Sequence, residues 1–534
     1  MTREISRRGI LQCAGGAGLG LLAPPAARSV APTVEIDVGS RRQLLFDDFL
    51  VAMGSAGIED YPFNIRWTVG KVRKDPYRNL LVADQPSETM PAWMCALYDG
   101  GRYRLWYNAS HKSRKGLFVS YAESDDGLTW RKPVVNQIDV NGSKNNNVVF
   151  AGGPSIGGLE LGSVFIDPIA SPQERYKMFF PVWDTDQVYP NYGLPFYAEA
   201  GVMRGAYSSD GIGWTRYQQI FLGSYMDSQN VAVYDPELRK YVAYIRYKNA
   251  KYGGLEAGEH RVIPARRGRA IGRMESDDYK IWTYPELAIA PDFQDGFNVE
   301  LYNQPYSRYP EADHAHFMFP SAYHKREGTF HVNVAVSRDN KTWFRPTRET
   351  FIPLGEPGSF DDFIISVAPG FLPAGRDQLA LYYRSGNGPH SGALRNVKTR
   401  ASQVVSGMCR VVFPRDRIVG IEAGAEEGTF ATRPLLFSGR RLVVNAEPTG
   451  PDPQLRVQMV GVGIRSAESA ARGKYKEDAV LPGYGFDDNA PITADELNGA
   501  VRWTRGAELG EWAGKPVRIH FRFKSMRIYA FQFV

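Results

Sequence analysis

Five carboxylates recur at one kind of place in this chain, each just ahead of a short apolar run. They are Glu88 in Pro86-Ser87-Glu88-Thr89-Met90, Glu160 in Gly158-Leu159-Glu160-Leu161-Gly162, Asp227 in Met226-Asp227-Ser228-Gln229-Asn230, Glu300 in Asn298-Val299-Glu300-Leu301-Tyr302, and Asp361 in Ser359-Phe360-Asp361-Asp362-Phe363. Carboxylates gathered into one low-dielectric pocket push their pKa values apart, so one holds a proton while another is ionised. General acid work and nucleophile or base work need that pair of states. Glu88, Asp227, Glu300 and Asp361 are the candidate catalytic acids. The glycine-rich flanks of Glu160 blur its register. Each acid also has a plainer reading: Asp227 suits a turn cap, and only one of Asp361 and Asp362 can face inward from a strand. Trp93, Arg246, Tyr302, Arg384 and His390 are the candidate substrate contacts, offering flat apolar faces and charged donors to a hydroxylated ligand. His314, His316 and His390 fall in loops at the same end, but their spacing does not argue for zinc or another metal. No P-loop, dinucleotide fingerprint, H-E-x-x-H, paired CxxC or G-x-S-x-G points to a cofactor or to serine chemistry.

Something must bring these acids together, and a repeat does it. Ser124-Asp126-Trp130, Ser208-Asp210-Trp214, Ser276-Asp278-Trp282 and Ser337-Asp339-Trp343 all read S-x-D-x-x-x-W. Self-similarity at such spacing marks a repeat architecture. Turn chemistry explains every residue of the box: Ser and Asp bond their own backbone, Gly127 and Gly211 allow positive φ, and Trp packs between sheets. Strand-turn-strand units precede the boxes, as in Met94 to Tyr98, a turn at Asp99-Gly100-Gly101, then Arg102 to Tyr107. Units of three or four strands repeated radially make a β-propeller, whose innermost strands converge on one channel.

A fifth unit without a box follows, with strands at Ile364 to Leu372, Leu379 to Arg384 and Val404 to Phe413. The expectation is an all-β chain: a five-bladed β-propeller over 32–416, then a β-sandwich over 417–534. The run from Arg42 to Leu50 is expected to close the ring as the outer strand of the last blade. After residue 416 the boxes stop, and period-two runs such as Val517 to Phe523 and Ile528 to Phe533 read as sandwich strands. Ala467 to Arg472 reads as a helical turn or two.

Residues 1–31 read as an export leader. Ser6-Arg7-Arg8-Gly9-Ile10-Leu11 resembles the twin-arginine signal, a small-residue apolar run follows, and Ala26-Ala27 suits cleavage. The run is too short and glycine-rich to remain as a membrane span. This places the protein in the periplasm or outside the cell. The formal charge of +6 includes +3 from the leader, and the remaining +3 gives no footprint for nucleic acid. Without Cys13, only Cys95 and Cys409 remain, which is no disulfide framework.

Box-bearing units, acids at inner-strand starts and a terminal sandwich together resemble the glycoside hydrolases of the invertase, levansucrase and arabinanase superfamily. Those are five-bladed propellers with three acids in a funnel, and the invertase branch adds a C-terminal sandwich. The likeness spans nearly all of the chain after the leader and is architectural. The motifs W-M-N-D-P-N-G, R-D-P and E-C are not found. Phe165-Ile166-Asp167-Pro168 is similar to R-D-P, yet repeat position aligns Asp167 with the turn residues Asp99 and Asp235. Asp47-Asp48 is assigned to the closing strand. The resemblance implies an exported glycosidase acting on an oligo- or polysaccharide, with a fructoside or arabinoside as the furanoside class, and no cofactor. A phosphorolytic or pyranoside-acting propeller is the alternative among enzymes. A glycan-binding propeller with aromatics and amides in its funnel is the alternative outside them. The boxes are also similar to the sialidase Asp box, without its Asp-to-Trp spacing and with no arginine triad legible.

Overall fold

The computed structural model describes residues 35–53, 62–76, 79–84, 88, 92–111, 114–151, 156–184, 201–222, 226–247, 268–390, 405–463 and 478–534. The leader and the turn expected at 467–472 lie outside the described residues. Within them the chain is nearly all strand, interrupted by short 3₁₀ turns at Pro172–Glu174, Phe293–Asp295 and Gly510–Trp512. No described helix is long and apolar enough to cross a membrane.

Five antiparallel meanders follow one another. The first comprises Met94–Asp99, Arg102–His111, Arg114–Ser124 and Val148–Ala151. The second comprises Ser163–Ile166, Tyr176–Asp184, Gly201–Ser208 and Thr215–Arg216. The third comprises Val231–Asp235, Lys240–Tyr247, Ala270–Ser276 and Glu286–Ile289. In the fourth, Val299–Leu301 and Tyr306–Arg308 pair with Ser321–His324 and His316–Met318, which pair in turn with Thr329–Val332 and Ala335–Ser337. Pro305 and Pro320, which have no N–H to give, sit at the break in the first two of these lines. The fifth comprises Ile364–Val367, Gln378–Gly386 and Ser406–Pro414, edged by Arg73–Lys74.

The boxes are turns, as their chemistry dictates. In the first, Asp126 Oδ1 accepts the backbone N–H groups of Leu128 and Thr129, both at 2.7 Å. Asp210, Asp278 and Asp339 repeat that pattern. Positive φ falls on Gly127, Gly211, Tyr279 and Asn340 in the four copies, so the last two hold without glycine. The boxes are also joints, each docked on the meander before it. Trp106 Nε1 donates to Gly211 O (2.8 Å), Tyr244 OH to Asn340 O (2.9 Å), and Tyr382 OH to Gly127 O (2.6 Å). The third box docks through Tyr279, edge-on to Phe165 at 5.7 Å. The order is therefore cyclic, with the first meander's box seated on the fifth.

The second unit holds two six-stranded sheets around one apolar core that includes Phe430, Leu455, Phe521 and Phe531. Its strands come from both ends of the described chain. Ile36–Gly39 runs parallel to Leu435–Phe437, and Arg66–Val69 pairs with Val419–Ala423. This corrects the expected ring closure. Gln43–Leu44 pairs with Met526–Phe533, so the run from 42 belongs to the sandwich side, and Arg73–Lys74 takes the edge of the fifth meander. Two strands read alike in sequence, and the burial of Leu44 and Phe46 against both units decides which edge the N-terminal segment covers. Asp47 lies there in an ion pair with Arg338 at 2.8 Å.

Candidate active site

The meanders' first strands meet where Tyr302 lies. The Trp93 ring, at the head of the first meander, stacks on Tyr302 of the fourth at 6.5 Å and 28°. Gln229 Nε2, ahead of the third, donates to Met94 O at 2.5 Å and Gly162 O at 3.2 Å. Asn303 Nδ2 donates to Ser366 Oγ at 2.7 Å, bringing in the fifth. Side chains and backbone carbonyls from the ends of the five meanders thus meet around Gln229, Tyr302 and Asn303.

Two guanidinium groups lie over the Tyr302 ring, and a third, Arg384, is on the fifth meander. Arg246, on Lys240–Tyr247, has no exposed surface, and its guanidinium carbon sits 4.6 Å from the ring centroid. Its backbone N–H donates to Asn230 Oδ1 (2.9 Å) and its Nη2 to Tyr302 O (3.3 Å), which fixes the side chain. Nη1 reaches Asp227 Oδ2 at 3.2 Å, and the Asp227 side chain is 47% exposed. Arg269 lies over the ring at 5.0 Å and pairs with Glu300. Arg384, on Gln378–Gly386, gives its Nε to Ser406 Oγ at 3.3 Å. Burial pushes the Arg384 guanidinium below its ordinary value, with Tyr302 acting the other way.

His390 closes the group, with Nε2 3.0 Å from Tyr302 OH and Nδ1 3.3 Å from Tyr323 OH. Burial, then the charges of Arg269 and Arg246, push its pKa down to about 4 against an opposing pull from Asp227. At neutral pH it is an uncharged hydrogen-bonding ring. Burial pushes the Glu300 carboxyl up, but Arg269 and Lys325 outweigh it and hold it below the ordinary carboxylate range. A side chain at Gly268 would meet Glu300 Oε1 at 2.3 Å, so glycine there lets the carboxylate in.

The structure thus gathers Asp227, Trp93, Arg246, Tyr302, Arg384 and His390, with Glu300 joined through Arg269. Glu88 and Asp361 go elsewhere. Glu88 accepts from Tyr107 OH at 2.7 Å and from Lys132 Nζ at 2.5 Å, with its side chain 2% exposed. Asp361 accepts from Lys74 Nζ at 2.6 Å and from Tyr383 OH at 3.2 Å. Asp361 and Asp362 are both buried, each on its own partners: Gly358 N–H donates to Asp362 Oδ2 at 2.7 Å. His314 and His316 lie beside Glu237. Asp167 is a turn residue, accepting from Ile169 N–H at 3.1 Å and from Tyr241 OH at 2.7 Å. Sequence reasoning missed Arg269. The signal was the basic run Arg266-Arg267-Gly268-Arg269 directly before the strand Ala270–Ser276.

No family model and no curated protein sequence matches the chain. Among solved structures it is similar to an N-acetylgalactosamine deacetylase from F. plautii in complex with blood group B trisaccharide, at 12% identity over 66% of this chain and 96% of that one, TM-score 0.42. It is also similar to the catalytic domain of an α-L-arabinofuranosidase from Coprinopsis cinerea, at 9% identity over 64% and 97%, TM-score 0.40. A third similarity is to a structure from a family of mannoside phosphorylases containing glycoside hydrolases that target β-1,2-mannosidic linkages in Candida mannan, at 14% identity over 66% and 96%, TM-score 0.40. None of these likenesses assigns a substrate to this chain.

Proposed function

We propose that this protein is an exported glycoside hydrolase, built as a five-bladed propeller over a sandwich, that cleaves a glycosidic bond at the Tyr302 cluster. The observation that carries the reading is Asp227. Of the four candidate acids it alone keeps a half-exposed side chain, and it does so against Arg246 where the first strands converge. Stacked Trp93 and Tyr302 beside it supply the aromatic face that a sugar ring packs on. The cyclic docking of the box turns supports the propeller.

In this reading Asp227 is the acid–base carboxylate that meets the scissile bond. Glu300 is the ionised partner carboxylate and keeps Arg269 against the ring. A separation of about 5–5.5 Å between the two carboxyl groups with substrate bound would give retention, and about 6.5–9.5 Å inversion. A furanoside is the first substrate to try. Export through the twin-arginine leader belongs to the same proposal, and Arg7-Arg8→Lys-Lys should hold the protein in the cytoplasm.

The test is a panel of aryl glycosides and polysaccharides given to the mature protein and to Asp227→Asn. Turnover lost in the variant at an unchanged melting temperature supports the assignment. Full activity in Asp227→Asn overturns it, and binding without turnover in the parent protein favours a glycan-binding propeller.

A further inference from the structure

We propose that Arg246, Arg269 and Arg384 form a subsite for an oxyanion: the carboxylate or sulfate of an acidic glycan, or free phosphate. The inference rests on the reading of the Tyr302 cluster as a glycan site and adds the charge of what enters there.

The warrant is an imbalance of buried charge. A guanidinium taken out of water needs a compensating anion and partners for its N–H groups. Elsewhere the need for an anion is met at other buried arginines, although single N–H groups stay unpaired there too, as at Arg410 Nε. Arg410 faces Asp75 at 2.7 Å, Arg417 faces Glu447 at 3.1 Å, and Arg527 faces Glu422. At the Tyr302 cluster it is not. Arg246 and Arg269 each have one carboxylate, and Arg384 faces none among the described residues. Lys325 adds a further cation on Glu300, so four cations share two carboxylates. Donors are also left over. Nε of Arg246 and Nε of Arg269 are buried with no hydrogen bond, and Nη1 of Arg246 has only its ion pair with Asp227. Two such donors beside one ring, with a third arginine that faces no carboxylate among the described residues, point to a missing acceptor. A carboxylate, sulfate or phosphate accepts two parallel N–H groups from one guanidinium, which a neutral hydroxyl cannot do.

The uncharged His390 fits the same picture. Both of its ring nitrogens are engaged by the Tyr302 and Tyr323 hydroxyls, and it adds no further positive charge around Tyr302. Asp227 lies on the exposed side of Arg246, so a ligand whose anion sits among the arginines has its neighbouring bonds near that carboxylate.

The test uses the full-length mature protein at fixed ionic strength. Melting temperature and titration calorimetry are recorded with inorganic phosphate, sodium glucuronate and glucose. The expected result is saturable binding of at least one of the two anions, no response to glucose, and at least about tenfold weaker binding in Arg384→Gln. Arg384→Lys keeps the charge and should recover only part of the loss, since the fork is gone. Binding of phosphate alone identifies the free anion. Binding of glucuronate alone identifies an acidic sugar, and binding of both supports the shared oxyanion chemistry. No anion binding by the parent protein overturns the proposal even if the variants fail to fold, and so does binding that Arg384→Gln leaves unchanged. Turnover of neutral glycosides without anion binding defeats the subsite alone. Anion binding without turnover of any glycoside, neutral or acidic, defeats the hydrolase reading alone.

Discussion

At Glu88 and Asp361 the neighbouring cation is a lysine and the hydroxyl belongs to a tyrosine packed among apolar side chains. At Asp227 and Glu300 an arginine laid over the face of Tyr302 pairs with the acid, joined at Glu300 by the half-exposed Lys325. Glu88, Asp227 and Asp361 precede the first strands of their meanders and Glu300 lies within one, so chain position alone does not separate them. The cation does. Lys74 reaches Asp361 with a compact charge, and Lys132 is shared between Glu88 and Asp84, so both lysines are fully taken up within the fold. An arginine has five donors, so one carboxylate leaves it able to hold something else. Acids of the first kind hold the meanders together, and acids of the second kind keep arginines ready for a ligand.

The sharpest way to break this comparison is to exchange the effects. Asp227→Asn should lower turnover by about two to four orders of magnitude with little change in melting temperature, as expected for loss of an acid–base carboxylate on an exposed side chain. Glu88→Ala and Asp361→Ala should do the opposite, each destabilising by roughly 1–3 kcal/mol because the buried tyrosine hydroxyl and the lysine lose their acceptor, while turnover per folded molecule survives. Urea unfolding beside initial rates separates the two outcomes, and a catalytic loss in Glu88→Ala at full stability would erase the distinction.

Acid sharpens it next. His331 is pushed down to about 4 by burial and by His324 alongside, with Asp295 opposing. His390 is pushed down to about 4 by burial and the arginines. A folded pKa below the unfolded 6.5 means that the folded state binds fewer protons. The stabilisation is therefore complete above about pH 6.5 and is lost as pH falls towards 4, by up to about 3 kcal/mol per histidine. Asp99 and Asp126, held at about 2, add nothing to that window, because their own loss begins only below the ordinary aspartate value. Melting curves from pH 7 to 4 should fall, and His331→Gln should flatten them without changing the pH profile of ligand binding. His390→Gln should change both. The smallest effect is expected at a box: Asp126→Ala removes an acceptor of two backbone N–H groups and should cost about 1 kcal/mol in urea, with turnover intact.

The boxes and most strands were legible in sequence because their causes are local. Ser, Asp and a positive-φ residue make the turn whatever surrounds them, and period-two alternation marks a half-buried strand. Asp227 and its companions were legible because repeat position carries them to one end. Ring closure was not legible. Arg73–Lys74 is a two-residue edge with no pattern, and Lys74 is also the partner that takes Asp361 away from the arginines. The separation of the four acids was hidden for the same reason: it depends on lysines arriving from distant strands. Arg269 stood in a basic run that any solvent-facing loop would also explain.

The pairing of Gln43–Leu44 with Met526–Phe533 makes the meanders an insertion between two parts of the sandwich. On the ribosome this imposes an order. The meanders can be complete and docked on one another while the N-terminal strands still lack their partner. At about 5–20 residues per second, those strands wait on the order of a minute before the last strand is synthesised. During that time they present an unpaired edge. The final event of folding is therefore a closure between the two ends of the described chain. It has the highest contact order in the molecule, and a shortened C-terminus would leave an assembled ring with an unfinished sandwich.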